Sequence, residues 1–484
     1  MYFSEIILCV YVIALLLLLF WGLHGLIMLF YRGKYNSDIN LPILQDKFPF
    51  ITIQLPIYNE INVVERLINA VCKLNYPIDK FEIQILDDST DTTSSIVKRL
   101  VASKTIAGFN ISQIIRKDRD GFKAGALKEG LLKADGEFIA IFDADFIPSE
   151  NFLLDTLPYF NDSKIGMVQT RWDHINEDYS VLTKLQALSL NSHFVIDQTV
   201  KNKSGFFINF NGTGGIWRKS CIEDAGNWHS DTLTEDLDLS YRAQLKGWKF
   251  KFLNNITSPG ELPAEMNSLK AQQFRWTKGT IETARKIIPL LWRSDIPAKI
   301  KLQSTYQLLS NLSFPILLVV SLLNLPLVFV KNNIADHSIF NFMSVFVLGL
   351  ISSFLYFLYS QKDISKDWVK KTLYFPLFMA GSIGLAVNNS LAVFEGLFNK
   401  RSDFIRTPKF MIQNKSSSIK KKKYLNEIKL SKVTLVEMFF AVYCSLGVAA
   451  SIYFNEIASL PFHIIFTFGF GSVSLLSLKH SLIK

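Results

Sequence analysis

Six apolar stretches set around one mixed body constrain this chain more than any other feature. Residues 3–30 form the first, and runs at 306–330, 338–360, 371–398, 433–454 and 459–478 follow a body at 47–300 with no long uncharged run. About 20 apolar residues cross the hydrocarbon of a bilayer. A soluble fold is therefore excluded, and a membrane-anchored body with a helical bundle is expected. Hydrophobic residues, 49% of 484 with 40 Phe, are a heavy load for a soluble chain.

Flanking charge gives the first stretch its meaning. It lacks a basic n-region, exceeds a signal-peptide core and is followed by Arg32 and Lys34, so it reads as a retained anchor, 1–32, with its N-terminus outside. The body at 47–284 then lies on the cytosolic side, followed by a basic interfacial segment at 285–305 and a membrane region at 306–484. A full crossing at 371–398 would carry Lys400 and the Lys420–Lys423 run outward, against the positive-inside bias. That stretch holds Pro376, three glycines and Asn388-Asn389-Ser390, so an interfacial or re-entrant element fits better, and five true spans are expected. The segment 371–430 is then cytosolic. The expected location is a multi-pass membrane protein with a cytosolic body, in the plasma (inner) membrane if bacterial.

The net charge of +10 lies near the apolar segments, which suits headgroups or nucleotide phosphates and gives no support to nucleic acid. Cys9, Cys72, Cys221 and Cys444 are scattered without zinc spacing, so free thiols are expected.

Within the body, short runs rich in Ile, Phe and Val at 51–58, 81–87, 111–116, 137–143 and 165–172 are strand candidates. Amphipathic stretches at 60–74, 92–103 and 123–134 separate the first four. That order predicts βαβ units and a doubly wound sheet whose crevice lies beyond the strands' carboxyl ends. Acidic motifs fall there. Asp143-Ala144-Asp145 places two carboxylates at i and i+2 of a strand end, able to hold Mg²⁺ or Mn²⁺ while leaving positions for diphosphate oxygens. Alone it is a common strand-end turn; the accompanying motifs favour the site reading. In Asp87-Asp88-Ser89-Thr90-Asp91, Thr90 or Asp91 is expected to cap a helix, leaving the other acids for a nucleobase imide and ribose hydroxyls.

Thr234-Glu235-Asp236 opens a helix ending before Gly247, with Thr234 as expected cap. Dipole complementarity alone explains one acid there; a base taking the proton of an attacking hydroxyl explains it equally. The loop Asn211-Gly212-Thr213-Gly214-Gly215 is either a plain turn or a place where acceptor or phosphate approaches the backbone. Gln272-Gln273-Phe274-Arg275-Trp276 lies in a helix expected over about 264–286. Its Arg forks toward diphosphate oxygens and its Trp face packs on a sugar ring, unless the pair is only an interfacial anchor. Phe404-Ile405-Arg406-Thr407-Pro408-Lys409 is a basic flank or a loop that closes over a charged diphosphate.

Together these residues resemble glycosyltransferase family 2, in its cellulose-synthase-like membrane branch. PIYNE (56–60), LDDSTD (86–91), FKAGAL (122–127), FDADF (142–146), FNGTGGIWR (210–218), TEDLDLSYRAQLKGWK (234–249), QQFRW (272–276) and FIRTPK (404–409) carry the resemblance. It is similar to mannan and glucomannan synthases and, further off, to bacterial cellulose synthase catalytic subunits. The resemblance implies an α/β GT-A-type catalytic domain, an inverting transfer, a divalent metal and a nucleotide-sugar donor, with UDP-glucose and GDP-mannose both fitting. It further implies that Asp87, Asp88, Tyr58 and Glu60 surround the nucleoside, and that Lys123, Asp143, Gln272 and Arg275 complete the nucleotide-sugar site. Asp143 and Asp145 would hold the metal. Asp236 would be the base, with Trp276, Glu235 and Asn211 toward the acceptor and Thr407 and Lys409 in a gating loop, where Arg406 and Pro408 depart from the family form FxVTxK. The function so implied is extension and extrusion of a β-linked polysaccharide, β-glucan or mannan in type. The alternative is single addition to a lipid such as ceramide or a polyprenyl carrier, so the acceptor is a glycan or a glycolipid. A non-enzymatic export component is disfavoured by the intact acids.

Overall fold

The structure, a computed structural model, describes residues 2–34, 48–333, 343–400, 406–412 and 431–482. The Lys420–Lys423 run lies outside the described residues. Seven strands form one sheet: β1 (Ile51–Ile57), β2 (Phe81–Asp87), β3 (Ile111–Ile115), β4 (Phe138–Ile141), β5 (Ile165–His174), β6 (Gly215–Arg218) and β7 (Lys249–Gly260). Their order is β3-β2-β1-β4-β6-β5-β7. The four strands from β3 to β4 are parallel, in register so that Ile51 faces Phe81 on one side and Phe138 on the other. Helices Val64–Val71, Thr93–Ile106 and Phe122–Leu132 alternate with them. β2 is buried along its whole length and β1 nearly so, as parallel strands covered by helices on both faces must be.

The doubly wound sheet is mixed in its other half. β6 runs antiparallel to both β4 and β5, and β7 then pairs parallel with β5. After β5 the chain passes through helices between Val181 and Lys203 and returns to insert β6 between β4 and β5. That four-residue strand is too short and too close to three glycines to show as a periodic run. Its register sets up the site: Gly215 pairs with Ile141, so the glycine loop before β6 lies beside the acids after β4.

Among the described residues, five helices are long and apolar enough to cross a membrane: Ser4–Arg32, Ala298–Asn333, Met343–Ile364, Lys432–Tyr453 and Leu460–Ser481. Trp368–Gly384 and Ala386–Leu397 form a pair bent by 46°. The first helix breaks at Leu23 into Tyr2–Gly22 and His24–Arg32. Gly22 is needed there, since a Cβ would stand 2.8 Å from the Gly349 Cα of a neighbouring span; small residues let membrane helices close to backbone contact. Below the break, His24 is 3.0 Å from buried Asp197 of the body, and Arg32 pairs with Asp363 at 2.6 Å.

Ion pairs also fix the sense of the bundle. Lys331, ending the second span, pairs with Glu456, beyond the end of Lys432–Tyr453. Near the other end of that fourth span, Glu437 meets Lys270 of the body at 2.8 Å. The second and fourth spans thus start on the body's side and finish on the far side. With the third span between them, the bent pair must return to the side from which it enters.

Candidate active site

One cavity beyond the carboxyl ends of β1, β2 and β4 gathers Tyr58, Glu60, Asp88, Lys123, Asp143, Asp145, Asn211, Glu235, Asp236, Gln272, Arg275, Trp276, Thr407 and Lys409. Asp87 departs from the expectation. Successive strand residues face opposite ways, so while Asp88 turns into the cavity, Asp87 is buried behind it, accepting from the Ser89 N–H at 2.9 Å and the Gln113 carboxamide at 2.7 Å. It braces the strand end. The N-cap of the following helix is Thr92, which makes no side-chain capping bond; Asp91 just before it accepts from the Thr93 N–H at 2.9 Å.

The side of the cavity lined by Tyr58, Glu60 and Asp88 is built from cationic contacts the sequence did not announce. Arg116 of the β3 edge grips Asp88 with two nitrogens, at 2.9 and 2.5 Å. The Arg119 guanidinium lies 3.3 Å from the centroid of the Tyr58 ring and also lines the cavity. Arg406 forks onto Glu60 at 2.9 and 2.5 Å. Burial nevertheless raises the Glu60 carboxyl to about 7, against the pull of Arg406.

The two acids after β4 each hold a lysine. Lys123 Nζ is 2.6 Å from Asp143 Oδ1 and donates to the Gly212 carbonyl at 2.8 Å. Burial lowers and Asp143 raises the affinity of Lys123 for its proton, and the carboxylates around it leave the ammonium more basic than usual. Lys409 Nζ is 2.7 Å from Asp145 Oδ2. The glycine loop is held rigidly: the buried Gln169 carboxamide donates to the Thr213 and Gly214 carbonyls, both at 3.0 Å, and accepts from the Asn211 N–H. Gly212 has φ +81°, and a Cβ there would lie 3.2 Å from Asp236 and 3.4 Å from Lys123. The loop is thus more than a plain turn; glycine lets backbone, base candidate and lysine converge.

Asp236 lies in the first turn of helix Glu235–Leu245. Burial, reinforced by the charge of Glu235 and offset by Lys123, raises its carboxyl to about 7. Burial raises Glu235 as well. Thr234 holds the expected cap position, but its side chain makes no capping bond and instead meets Thr283 Oγ1 at 3.2 Å, joining this helix to Met266–Arg293. From that long helix Gln272, Arg275 and Trp276 reach the cavity. Trp276 has its ring centroid 6.4 Å from that of Trp172 on β5, a second aromatic wall missed because β5 was read only as core. The Asn211 side-chain carbonyl accepts from His193 Nε2 at 3.2 Å, on a stretch of π-helix, His193–Gln198.

The donor set suits a divalent cation. Eight carboxylates (Glu60, Asp88, Asp143, Asp145, Asp173, Glu235, Asp236, Glu261) line the cavity against five cationic side chains (Arg119, Lys123, Arg275, Arg406, Lys409). Asp143 and Asp145 already attract ammonium groups in the place a metal would take. A second cluster, His229, Asp231 and Asp238, also has metal-ligand spacing. It lies outside the cavity lining, and the Lys286 ammonium sits among the three, 3.0 Å from His229 and 2.9 Å from each carboxylate.

Known proteins share this design. The family model described as Glycosyl transferase family 2 matches residues 52–221, and Glycosyl transferase family group 2 matches 138–383, just over half of the chain. Glucomannan 4-beta-mannosyltransferase 1 of Cyamopsis tetragonoloba is 42% identical over 261 residues, 52% of this chain and 50% of that protein. Glucomannan 4-beta-mannosyltransferase 9 of Arabidopsis thaliana is 42% identical over 264 residues, 53% of this chain and 49% of its own. The matched region spans about half the length of these curated relatives. Among solved structures, a mannosyltransferase from Pyrobaculum calidifontis, held with GDP-Man and Mn2+, superposes with a TM-score of 0.53 at 18% identity, over 82% of this chain and 99% of that one. The fold is therefore that of GT-A transferases, and the chain belongs to the family 2 group of glycosyl transferases.

Proposed function

We propose that this chain is a membrane-embedded, inverting hexosyltransferase that extends a β-linked polysaccharide from a nucleotide-diphosphate hexose. Mannosyl transfer is the favoured form, in line with the relatives' names. The observation that carries the reading is the meeting in one cavity of a base candidate, Asp236, a diphosphate-and-metal set, and the Trp172–Trp276 wall.

In this mechanism an acceptor hydroxyl lies between Asp236 and the anomeric carbon. Asp236 takes the hydroxyl proton as the oxygen attacks. The bond from the anomeric carbon to the diphosphate oxygen breaks on the opposite face, and its electron pair leaves on the diphosphate, inverting the configuration. Lys123 and Arg275 face the charge that develops there. A divalent ion held by Asp143 and Asp145 would neutralise the diphosphate. Trp276 supports the acceptor sugar through the apolar side of its ring.

Labelled GDP-mannose and UDP-glucose, supplied separately to membranes containing the protein, test this when the product is sized. A long β-linked polymer from one donor is the expected outcome. A singly glycosylated lipid would replace the polymerase reading with lipid transfer.

A further inference from the structure

Helix Met266–Arg293 has two working faces. At 3.6 residues per turn, Lys270 and Lys278 project roughly 165° and 115° away from the mean direction of Gln272, Arg275 and Trp276. Both lysines are buried, with 6% and 1% of their surface exposed. Each meets a carboxylate from the membrane region. Lys270 Nζ is 2.8 Å from Glu437 Oε2, a residue of span Lys432–Tyr453 that is itself fully buried. Lys278 Nζ is 3.4 Å from Glu395 Oε2 on the second limb of the bent pair and also donates to the Lys400 carbonyl. Neutral bonds reinforce both points: Asn388 donates to the Lys270 carbonyl at 3.0 Å, and Arg285 to the Gly396 carbonyl at 3.0 Å.

Buried ion pairs are poor sources of net stability, because desolvation offsets most of the attraction; their best-attested use is to select one register among several that apolar packing would allow. An apolar seam alone would let this helix slide or roll against the bundle. Two charged points, eight residues apart and drawn from two different membrane elements, forbid both movements.

We propose that Glu437 and Glu395 are positioning residues for the acceptor side of the site. Through Lys270 and Lys278 they hold the helix in the register that presents Trp276 and Arg275 to the cavity, so the membrane bundle sets where the acceptor sugar rests. The inference rests on the transferase reading above. It differs from a merely structural role in what it spares, because Tyr58, Glu60, Asp88 and Asp143 stand at the ends of β1, β2 and β4, while this helix reaches the donor through Gln272 and Arg275.

Purified full-length protein in lipid is tested with Glu437→Gln, with the double variant Lys270→Met/Glu437→Met, which leaves no orphaned charge, and with the exchange Lys270→Glu/Glu437→Lys. Donor KM, donor hydrolysis, sugar transfer and thermal unfolding are measured on each. Since a displacement near 1 Å can cost about 100-fold, transfer is expected to fall about 10- to 100-fold in the first two variants. Donor KM and hydrolysis, to which this helix contributes Gln272 and Arg275, should change several-fold less than transfer, and the exchange should restore part of the transfer. A double-Met variant with the wild-type ratio of transfer to hydrolysis overturns the proposal, because packing alone would then place the helix. One that unfolds early overturns it too, since the pair would then serve stability. Wild-type protein that neither hydrolyses nor transfers any sugar would instead overturn the proposed function.

Discussion

Asp236 shows how a single side chain acquires a role from its surroundings. Its position in a helix's first turn is what dipole complementarity would favour, yet burial and the neighbouring Glu235 raise its carboxyl to about 7. A cap would be better left ionised; a proton acceptor works best with a pKa near ambient pH. Asp236→Asn should therefore cut transfer by about 10²- to 10⁴-fold with donor affinity intact, which transfer rates and nucleotide binding on one preparation would check. An equal loss of donor binding would return Asp236 to the helix-cap role. The sign of the pH effect follows: the base must be ionised, so kcat/KM should fall as pH drops through about 7. The acid limb should disappear from the residual activity of the Asn variant. Asp145 invites a different test, because its partner is the Lys409 ammonium at 2.7 Å. Asp145→Asn should abolish turnover and most of the effect of metal on donor binding. Full wild-type activity in excess chelator would remove the metal from the scheme. Six of the eight acids of this cavity, all but Asp173 and Glu261 outside the motifs, were legible in the sequence because they sit in short motifs near strand and helix ends. Their cationic partners Arg116, Arg119 and Arg406 were not, since such partners come from distant positions that only folding brings together.

At the scale of elements, strands β1 to β5 were legible as period and composition, whereas β6 was not. Its four residues are defined by neighbours on either side rather than by their own pattern. The helix carrying QQFRW was legible as a helix but not in its length or its second face: it runs on to Arg293, past Pro289, and buries two lysines against the membrane region. On the proposed reading, Trp276 is the residue through which this element meets the acceptor. Trp276→Ala removes an aromatic surface worth roughly 0.5–1.5 kcal/mol beyond simple burial. Long polymer should disappear while donor hydrolysis to free nucleotide persists, because water needs no platform. Nucleotide release and product length, followed in parallel, would separate these effects. A proportional loss of both would mean that Trp276 holds the fold or the donor rather than the acceptor.

For the molecule as a whole, the question is which side of the membrane each connection occupies. Apolar run lengths alone leave the count at five or six spans, as the bent pair at 368–397 shows. Charge bias argued for five, and an independent geometric reason comes from Lys331–Glu456 at one end of the bundle and Lys270–Glu437 at the other. These pairs put the loop after Tyr453 opposite the transferase body, and Lys370, at the start of the bent pair, on the body's side. The proposed function, with a cytosolic nucleotide sugar as donor, places that body inside. In a background lacking Cys9, Cys72, Cys221 and Cys444, Ile457→Cys, 72% exposed, should therefore react with an impermeant thiol reagent added to intact cells. Lys370→Cys, whose native side chain is 83% exposed, should react only after the membrane is opened. The reverse pattern would put the catalytic cavity outside, away from cytosolic donors. Labelling of both from outside would mean that the bent pair crosses, and the docking of Arg406 and Lys409 on Glu60 and Asp145 would then be impossible, because the chain reaches them directly from that pair.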